Sequence, residues 1–265
     1  MLHFDSLARM RLVILGSGTS VPHAQRTSSA YWLETSGGSL LLDVSPDAAH
    51  RMAEERLDWA NLDAIWISHF HLDHLGGLAP FLFGMKWAPQ TQQRTKRLKV
   101  IGPAGIKTLL QAFDQANNYR LLHQPFAIEV IEKESGSSFE ILPGLNAVTF
   151  ATPHTRESLA IRLTDNDGTS LAYTSDTGPS EGLAVFAKDA DVLLLECSFR
   201  RNKPIQNHLE FEEAMAMARQ AKARKVVLTH LYPEWDGIDI VAAAQALWSG
   251  DTIAAADGLV LEING

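Results

Sequence analysis

One short segment narrows what this chain can fold into more than any other: Trp66-Ile67-Ser68-His69-Phe70-His71-Leu72-Asp73-His74-Leu75-Gly76-Gly77. The apolar run at residues 64–67 reads as a strand that ends near Ser68. Four potential metal donors then arrive within six positions. Packing His69, His71, Asp73 and His74 together without a metal would cost the desolvation of each polar group. Alternate side chains of an extended or tightly turning segment share a side, so His69 and His71 are expected to face one ion. Asp73 and His74 then turn toward a second.

Three further donors stand where other predicted strands run out. His154 follows residues 146–152, Asp176 follows the run ending at Tyr173, and His230 follows residues 226–229. Donors carried on several strand ends collect along one edge of a sheet, where α/β proteins usually place their sites. They complete two sets, with His69, His71 and His154 on one ion and Asp73, His74 and His230 on the other. Asp176 would bridge them. Imidazole and carboxylate suit zinc first, with manganese and iron as the alternatives.

The rest of the chain must supply a core around those strand ends. Its 265 residues are 46% hydrophobic and 20% charged, as expected of a single soluble globular domain spanning 1–265, and no linker or fixed-period repeat divides it. Short apolar runs predict strands at residues 12–15, 39–42, 64–67, 98–101, 126–131, 147–151, 159–163, 170–173, 192–195, 226–228 and 258–263. Helical spacing covers 106–116 and 209–223, the latter with an apolar stripe of Phe211, Met215, Ala218 and Lys222 behind an acidic first turn. Phe81, Phe83 and Trp87 form an apolar cluster on another predicted helix. Mixed strands and helices indicate α/β or α+β layering.

Charge and cysteine content exclude some chemistries. A net charge of −8 does not favour a long nucleic-acid footprint, and the cluster Arg94, Lys96, Arg97 and Lys99 reads as a solvated loop. Cys197 is the sole cysteine, which excludes an intramolecular disulfide and a thiolate zinc cluster. The first fifteen residues lack the apolar core of a signal peptide, and no apolar run reaches membrane length. A cytoplasmic protein without a membrane partner is expected. His3, His23, His50 and His123 lie outside the motif and read as structural or surface residues.

Residues 69–74, then His154, Asp176 and His230 in that order, resemble the metallo-β-lactamase superfamily across nearly the whole chain. Leu15-Gly16-Ser17-Gly18-Thr19-Ser20, with Pro22 and Arg26, is similar to the ribonuclease Z and phosphodiesterase branch, as is Leu41-Leu42-Asp43. Val44-Ser45 stands where that branch often has Cys-Gly. The resemblance implies an α/β fold, a four-layer αββα sandwich with the metals along one edge. It also implies a task for His208 in Asn207-His208, because a histidine upstream of the last metal ligand protonates the leaving oxygen in that branch. Glu196 occupies a strand end from which it would orient a neighbour, and Asp73 would hold or deprotonate the attacking water.

The implied reaction is hydrolysis of a phosphodiester by metal-activated water, two divalent ions being required. Ribonuclease Z enzymes usually insert a long arm between the positions of His154 and Asp176 to grip tRNA. Here that interval allows two short strands joined near Asp165-Asn166-Asp167-Gly168. A small or cyclic phosphodiester is therefore the expected substrate. Within the branch the chain is most similar to the cyclic phosphodiesterase that accompanies carbon–phosphorus lyase, from which it departs in lacking cysteines for an additional zinc site. The alternatives are a tRNA 3′-processing endoribonuclease without the arm, acting on RNA, and an iron-dependent oxidoreductase of the same fold. A binding module that keeps the site only for structure is a third. Branch members are commonly dimers, so a homodimer is expected. Arg156, Ser158, Tyr232, Glu234 and Trp235 are candidates for the walls of the substrate pocket.

Overall fold

Several strands carry apolar residues on both faces, and such strands need a covering layer on each side. Val192–Glu196 is buried at every position, and Met10–Gly16 at all but one. The structure, a computed structural model, describes residues 10–265; His3 and the segment read for a signal peptide up to residue 9 lie outside them.

The first half runs β1 (Met10–Gly16), β2 (Ala30–Thr35), β3 (Gly38–Leu42), α1 (Ala48–Glu54), β4 (Ala64–Trp66), α2 (Leu72–Leu75), α3 (Leu78–Trp87), β5 (Leu98–Pro103), α4 (Ile106–Gln115) and β6 (Ile128–Lys133). The second runs β7 (Ser138–Leu142), β8 (Leu145–Ala151), β9 (Leu159–Asp165), β10 (Ser170–Tyr173), α5 (Glu181–Phe186), β11 (Val192–Glu196), α6 (Phe211–Ala221), β12 (Lys225–Thr229), α7 (Ile240–Leu247), β13 (Asp251–Ala254) and β14 (Val260–Ile263). They form two seven-stranded sheets, ordered β14-β1-β2-β3-β4-β5-β6 and β13-β12-β11-β10-β9-β8-β7. Each sheet is mixed, parallel from β3 to β6 in one and from β10 to β13 in the other.

Alternation along each strand assigns its residues to layers. Leu12, Ile14, Tyr31, Trp66, Ile161, Tyr173, Leu194 and Val227 meet between the sheets. Val13, Trp32, Leu41 and Ile65 point outward from the first sheet onto Met52 of α1, Leu82 of α3 and Leu110 of α4. Leu193, Leu195 and Leu228 point outward from the second onto Leu183 of α5, Met215 of α6 and Ala244 of α7. The result is the four-layer αββα sandwich implied by the resemblance. Because β3 and β4 run parallel, as do β10, β11 and β12, their carboxyl ends share one edge.

Some local expectations need correction. Strands β2, β7 and β13 were not anticipated. Ala30, Tyr31, Trp32 and Leu33 are all buried, so β2 shows no polar alternation, while β13 is only four residues long. Helix α6 ends one residue before Lys222, which adopts a left-handed conformation and is exposed, so it leaves the apolar stripe. Its start is fixed by a reciprocal capping box of Glu210 and Glu213. Lys96 and Arg97 are solvated, but Arg94 is not. Its guanidinium is buried, donates to the carbonyls of Ala60 and Leu62 at 2.6 Å, and lies over the Phe126 ring. That arginine clamps a loop. Among the described residues no helix is long and apolar enough to cross a membrane.

Candidate metal centre

The site forms where parallel strands end together. His69, His71, Asp73 and His74 leave the end of β4 and enter α2, whose first residue follows His71. His154 follows β8, Asp176 follows β10, Glu196 closes β11 and His230 follows β12. Asp43, Ser175 and His230 each turn the chain through a left-handed backbone, with φ of 60°, 57° and 58°. A non-glycine residue there costs about 1 kcal/mol or more. Their side chains or immediate neighbours bond into the site, which offsets that cost.

Donor atoms of the expected ligands gather in two sets, His69, His71, His154 and Asp176 in one and Asp73, His74, His230 and Asp176 in the other, and Glu196, His208 and His230 form a third, smaller cluster beside them. Within each set the atoms lie within 4.8 Å of one another. Asp176 belongs to both. Its Oδ1 is 3.2 Å from Nε2 of His74, and its Oδ2 is 3.3 Å from Nε2 of His230 and 3.7 Å from Nε2 of His154. Oδ2 of Asp73 lies 3.5 Å from Nε2 of His230. This is the partition the sequence suggested.

Hydrogen bonds on the far side of each ring decide which nitrogen faces inward. Nδ1 of His74 donates to Asp43 Oδ2 at 2.7 Å, and Nδ1 of His154 donates to the Asn207 carbonyl at 2.8 Å. Ser68 Oγ spends its proton on Asp43, so Nδ1 of His69, 3.0 Å away, must be the donor to it. Ser198 Oγ likewise donates to Glu196, leaving Nδ1 of His230 to donate to Ser198 at 2.9 Å. All four rings therefore point Nδ1 outward and turn Nε2 toward the centre. The Nε2 atoms of His69, His74 and His230 are buried with no hydrogen-bond partner. Nε2 of His154 faces Nδ1 of His71 at 3.0 Å. Orphaned, convergent imidazole nitrogens of this kind fit divalent cations, and the outer bonds are those that orient metal-ligating histidines.

Burial would lower the His74 pKa, but the carboxylates of Asp176 and Asp43 outweigh it and hold it well above the ordinary histidine value. Burial alone would raise the carboxyl of Asp176, but His230 and His74 outweigh it and hold it well below the usual range. Burial would raise Asp73 as well, but His230, whose Nε2 lies 3.5 Å from its Oδ2, and His74 outweigh it and hold it low. Burial pushes His69 and His154 below the ordinary histidine value, so both rings are neutral at pH 7.

His208 stands against both sets. Its ring stacks on His230 at 5.4 Å and meets His154 edge-on at 4.7 Å. Nδ1 is bonded to Glu196 Oε1, whose other oxygen accepts the Thr177 amide at 2.5 Å. Burial would lower the His208 pKa, but the bond and charge of Glu196 outweigh it and raise it above the ordinary value.

Other candidates separate. Ser158 is buried and bonds Thr155 at 2.6 Å, whereas Arg156 is exposed. Tyr232 stacks on Phe199 near His230. Trp235 belongs to the core and donates to the Cys197 carbonyl, and Glu234 accepts the Arg200 amide. Phe81 is buried, while Phe83 and Trp87 are exposed beside Tyr119. His23 bonds Asp236, and His50 is exposed beside Glu54. The orienting residues Asp43, Ser68 and Ser198 were missed as site residues, although Asp43 was legible as a carboxylate at a strand end.

The family described as Anti-Pycsar protein Apyc1 matches residues 10–247. The chain belongs to that family. Among curated relatives, ribonuclease Z of Archaeoglobus fulgidus is 24% identical over 96% of this chain and 97% of its own. The probable metallo-hydrolase YhfI of Bacillus subtilis is 26% identical over 96% of this chain and all of its own length. The YhfI crystal structure superposes with a TM-score of 0.81 at 24% identity, over 95% of this chain and 98% of that one. Human short-form tRNase Z gives 0.76 at 18% identity, over 96% and 100%. These comparisons bear out the metallo-β-lactamase fold, the branch read from the sequence and the assignment to the metal-dependent hydrolases.

Proposed function

We propose that this family member is a dinuclear phosphodiesterase, zinc being the first choice of metal, that hydrolyses a small or cyclic phosphodiester. The observation that carries the reading is His208, fixed through Nδ1 by Glu196 and packed against rings of both donor sets. Only its Nε2 is left to deliver a proton. Divalent ions held by His69, His71, His154 and Asp176, and by Asp73, His74, His230 and Asp176, would polarise a phosphoryl oxygen and lower the pKa of a water. Asp73 is kept ionised by His230, which suits it to hold and aim the attacking water rather than to remove its proton. As the bond from phosphorus to the leaving oxygen breaks, His208 gives its proton to that oxygen, and Glu196 steadies the charge on the ring.

The interval between His154 and Asp176 supports a small substrate. It holds only β9 and β10, joined by a tight turn in which Asp165 Oδ1 accepts the amides of Asp167 and Thr169. Nothing projects there to grip a folded RNA. The names of the ribonuclease Z relatives favour a second reading, a tRNA 3′-endonuclease that finds its RNA contacts elsewhere. A homodimer is the expected assembly, with Phe83, Trp87 and Tyr119 as the apolar face it would cover.

The test is hydrolysis of bis-p-nitrophenyl phosphate by protein stripped of metal and reloaded with zinc or manganese. Turnover should vanish on stripping, return on reloading, and be lost in Asp73→Ala. His208→Ala should lose little on this good leaving group but about 10²-fold or more on an alkyl diester. Dioxygen consumption by iron-loaded protein with no diester turnover would replace the reading with the oxidoreductase.

A further inference from the structure

Between β11 and α6, residues 199–210 form a closed loop that carries His208. Two main-chain bonds shut its mouth: the Phe199 amide donates to the Leu209 carbonyl at 3.1 Å, and the Phe211 amide to the Phe199 carbonyl at 2.8 Å. Arg200, Arg201, Asn202, Pro204 and Ile205 are exposed. Lys203 is the exception. Its side chain is only 5% exposed, and it follows Asn202, which turns the chain through a left-handed φ of 55°.

A buried ammonium needs partners, and those of Lys203 join two parts of the fold. Nζ donates to Glu213 Oε2 at 2.6 Å and to the His208 carbonyl at 2.9 Å, while the Lys203 amide donates to Glu210 Oε2 at 3.4 Å. Glu210 and Glu213 are the carboxylates of the capping box that starts α6. The ammonium thus stands on the fixed end of a helix and holds the main chain of His208. Glu196 and His230 hold only the ring. Stability does not require a charge here, since a buried ion pair can often be replaced by apolar groups without loss. The loop has a second anchor in Asn207, whose carbonyl accepts Nδ1 of His154 at 2.8 Å and whose Nδ2 donates to the His154 carbonyl at 3.4 Å. His208 is next to that anchor in sequence and bonded to the other.

Resting on the phosphodiesterase reading, we infer that Lys203 is a positioning residue for the proton donor: its ammonium pins the His208 main chain to the α6 cap, so that Nε2 of the ring keeps its place beside the leaving oxygen. Misplacing a reacting group by about 1 Å can cost about 10²-fold in rate, so a bond to the donor's own carbonyl carries catalytic leverage without touching substrate.

The experiment measures zinc-loaded wild type, Lys203→Met, Lys203→Arg and His208→Ala on two diesters. One is bis-p-nitrophenyl phosphate, a good leaving group; the other is a 3′,5′-cyclic nucleotide, whose leaving oxygen is an alkoxide. Lys203→Met should lose about tenfold or more in kcat on the cyclic nucleotide and less than about twofold on the aryl diester, with KM and zinc content unchanged. Lys203→Arg keeps the donors and should stay near wild type. The downfield proton signal of His208 Nδ1–H, identified by its absence in His208→Ala, reads the ring without turnover. It should shift or broaden in Lys203→Met and not in Lys203→Arg. Thermal melting shows whether Lys203→Met is folded. Should it not be, Glu213→Gln keeps an acceptor for the Glu210 amide but removes the charge that holds the ammonium, and it should show the same split at a smaller size. Equal losses on the two diesters in the Lys203 or Glu213 variant, or no loss on either, beside a clear split in His208→Ala, would overturn the role of Lys203 and leave the proton donor standing. Equal losses in His208→Ala would instead sink the proton donor itself, and the role of Lys203 with it.

Discussion

The carboxylate of Asp43 lies 2.7 Å from Nδ1 of His74, and the same group accepts the Ser68 amide, the Ser68 hydroxyl and the Tyr173 hydroxyl at 2.7–2.8 Å. One buried side chain thus fixes a ring in the second donor set and, through Ser68, the ring of His69 in the first. Asp43→Ala would strand four buried donors and should cost about 3–5 kcal/mol of stability. It should also weaken zinc affinity about 10–100-fold. Asp43→Asn keeps the shape and tolerates the left-handed backbone, so it should fall between. Zinc titration and thermal melting check this, and wild-type zinc affinity in Asp43→Ala would refute it.

Asp257 does for the glycine-rich loop what Asp43 does for the ligands. Its two oxygens accept the amide and hydroxyl of Ser17 and of Thr27, at 2.7–2.9 Å. Ser17 in turn accepts the Leu231 amide beside His230. Asp257→Asn replaces an acceptor by a donor facing two donors, so it should cost about 2–3 kcal/mol, or roughly 4–12 °C in Tm. A Tm within a degree of wild type would show that the loop is held by something else.

One surface contact should depend on pH. The bonds from His23 and Arg26 hold the Asp236 carboxyl below its ordinary value near 3.8. A depressed carboxyl contributes stability that is complete above the unfolded value and disappears as pH falls through the folded one. The Tm difference between wild type and Asp236→Ala should therefore hold constant from neutral pH to about 5 and shrink below 4. The contribution is small because the group is exposed. A difference that did not change with pH would contradict it.

How much the sequence disclosed depended on how local each relationship is. The donors from His69 to His74 were legible because they crowd one short segment. His154, Asp176 and His230 were legible because each follows an apolar strand. Asp43 was legible as a carboxylate at a strand end but not as the residue that orients the ligands, since its partners lie 25, 31 and 130 residues away. Gly16 was visible only as part of a motif. In the structure a Cβ there would come within 1.9 Å of the Ser28 carbonyl oxygen, so close approach of two backbones is what requires it. Strand β2 escaped because burial on both faces erased its alternation.

The most direct test of the central claim sets a 3′,5′-cyclic nucleotide against a precursor tRNA on the zinc-loaded protein, with Asp73→Ala as control. The cyclic nucleotide should be hydrolysed and the tRNA left intact, with the control inactive on both. Cleavage of the tRNA at its 3′ end with the cyclic nucleotide untouched would contradict the account and make the protein a ribonuclease.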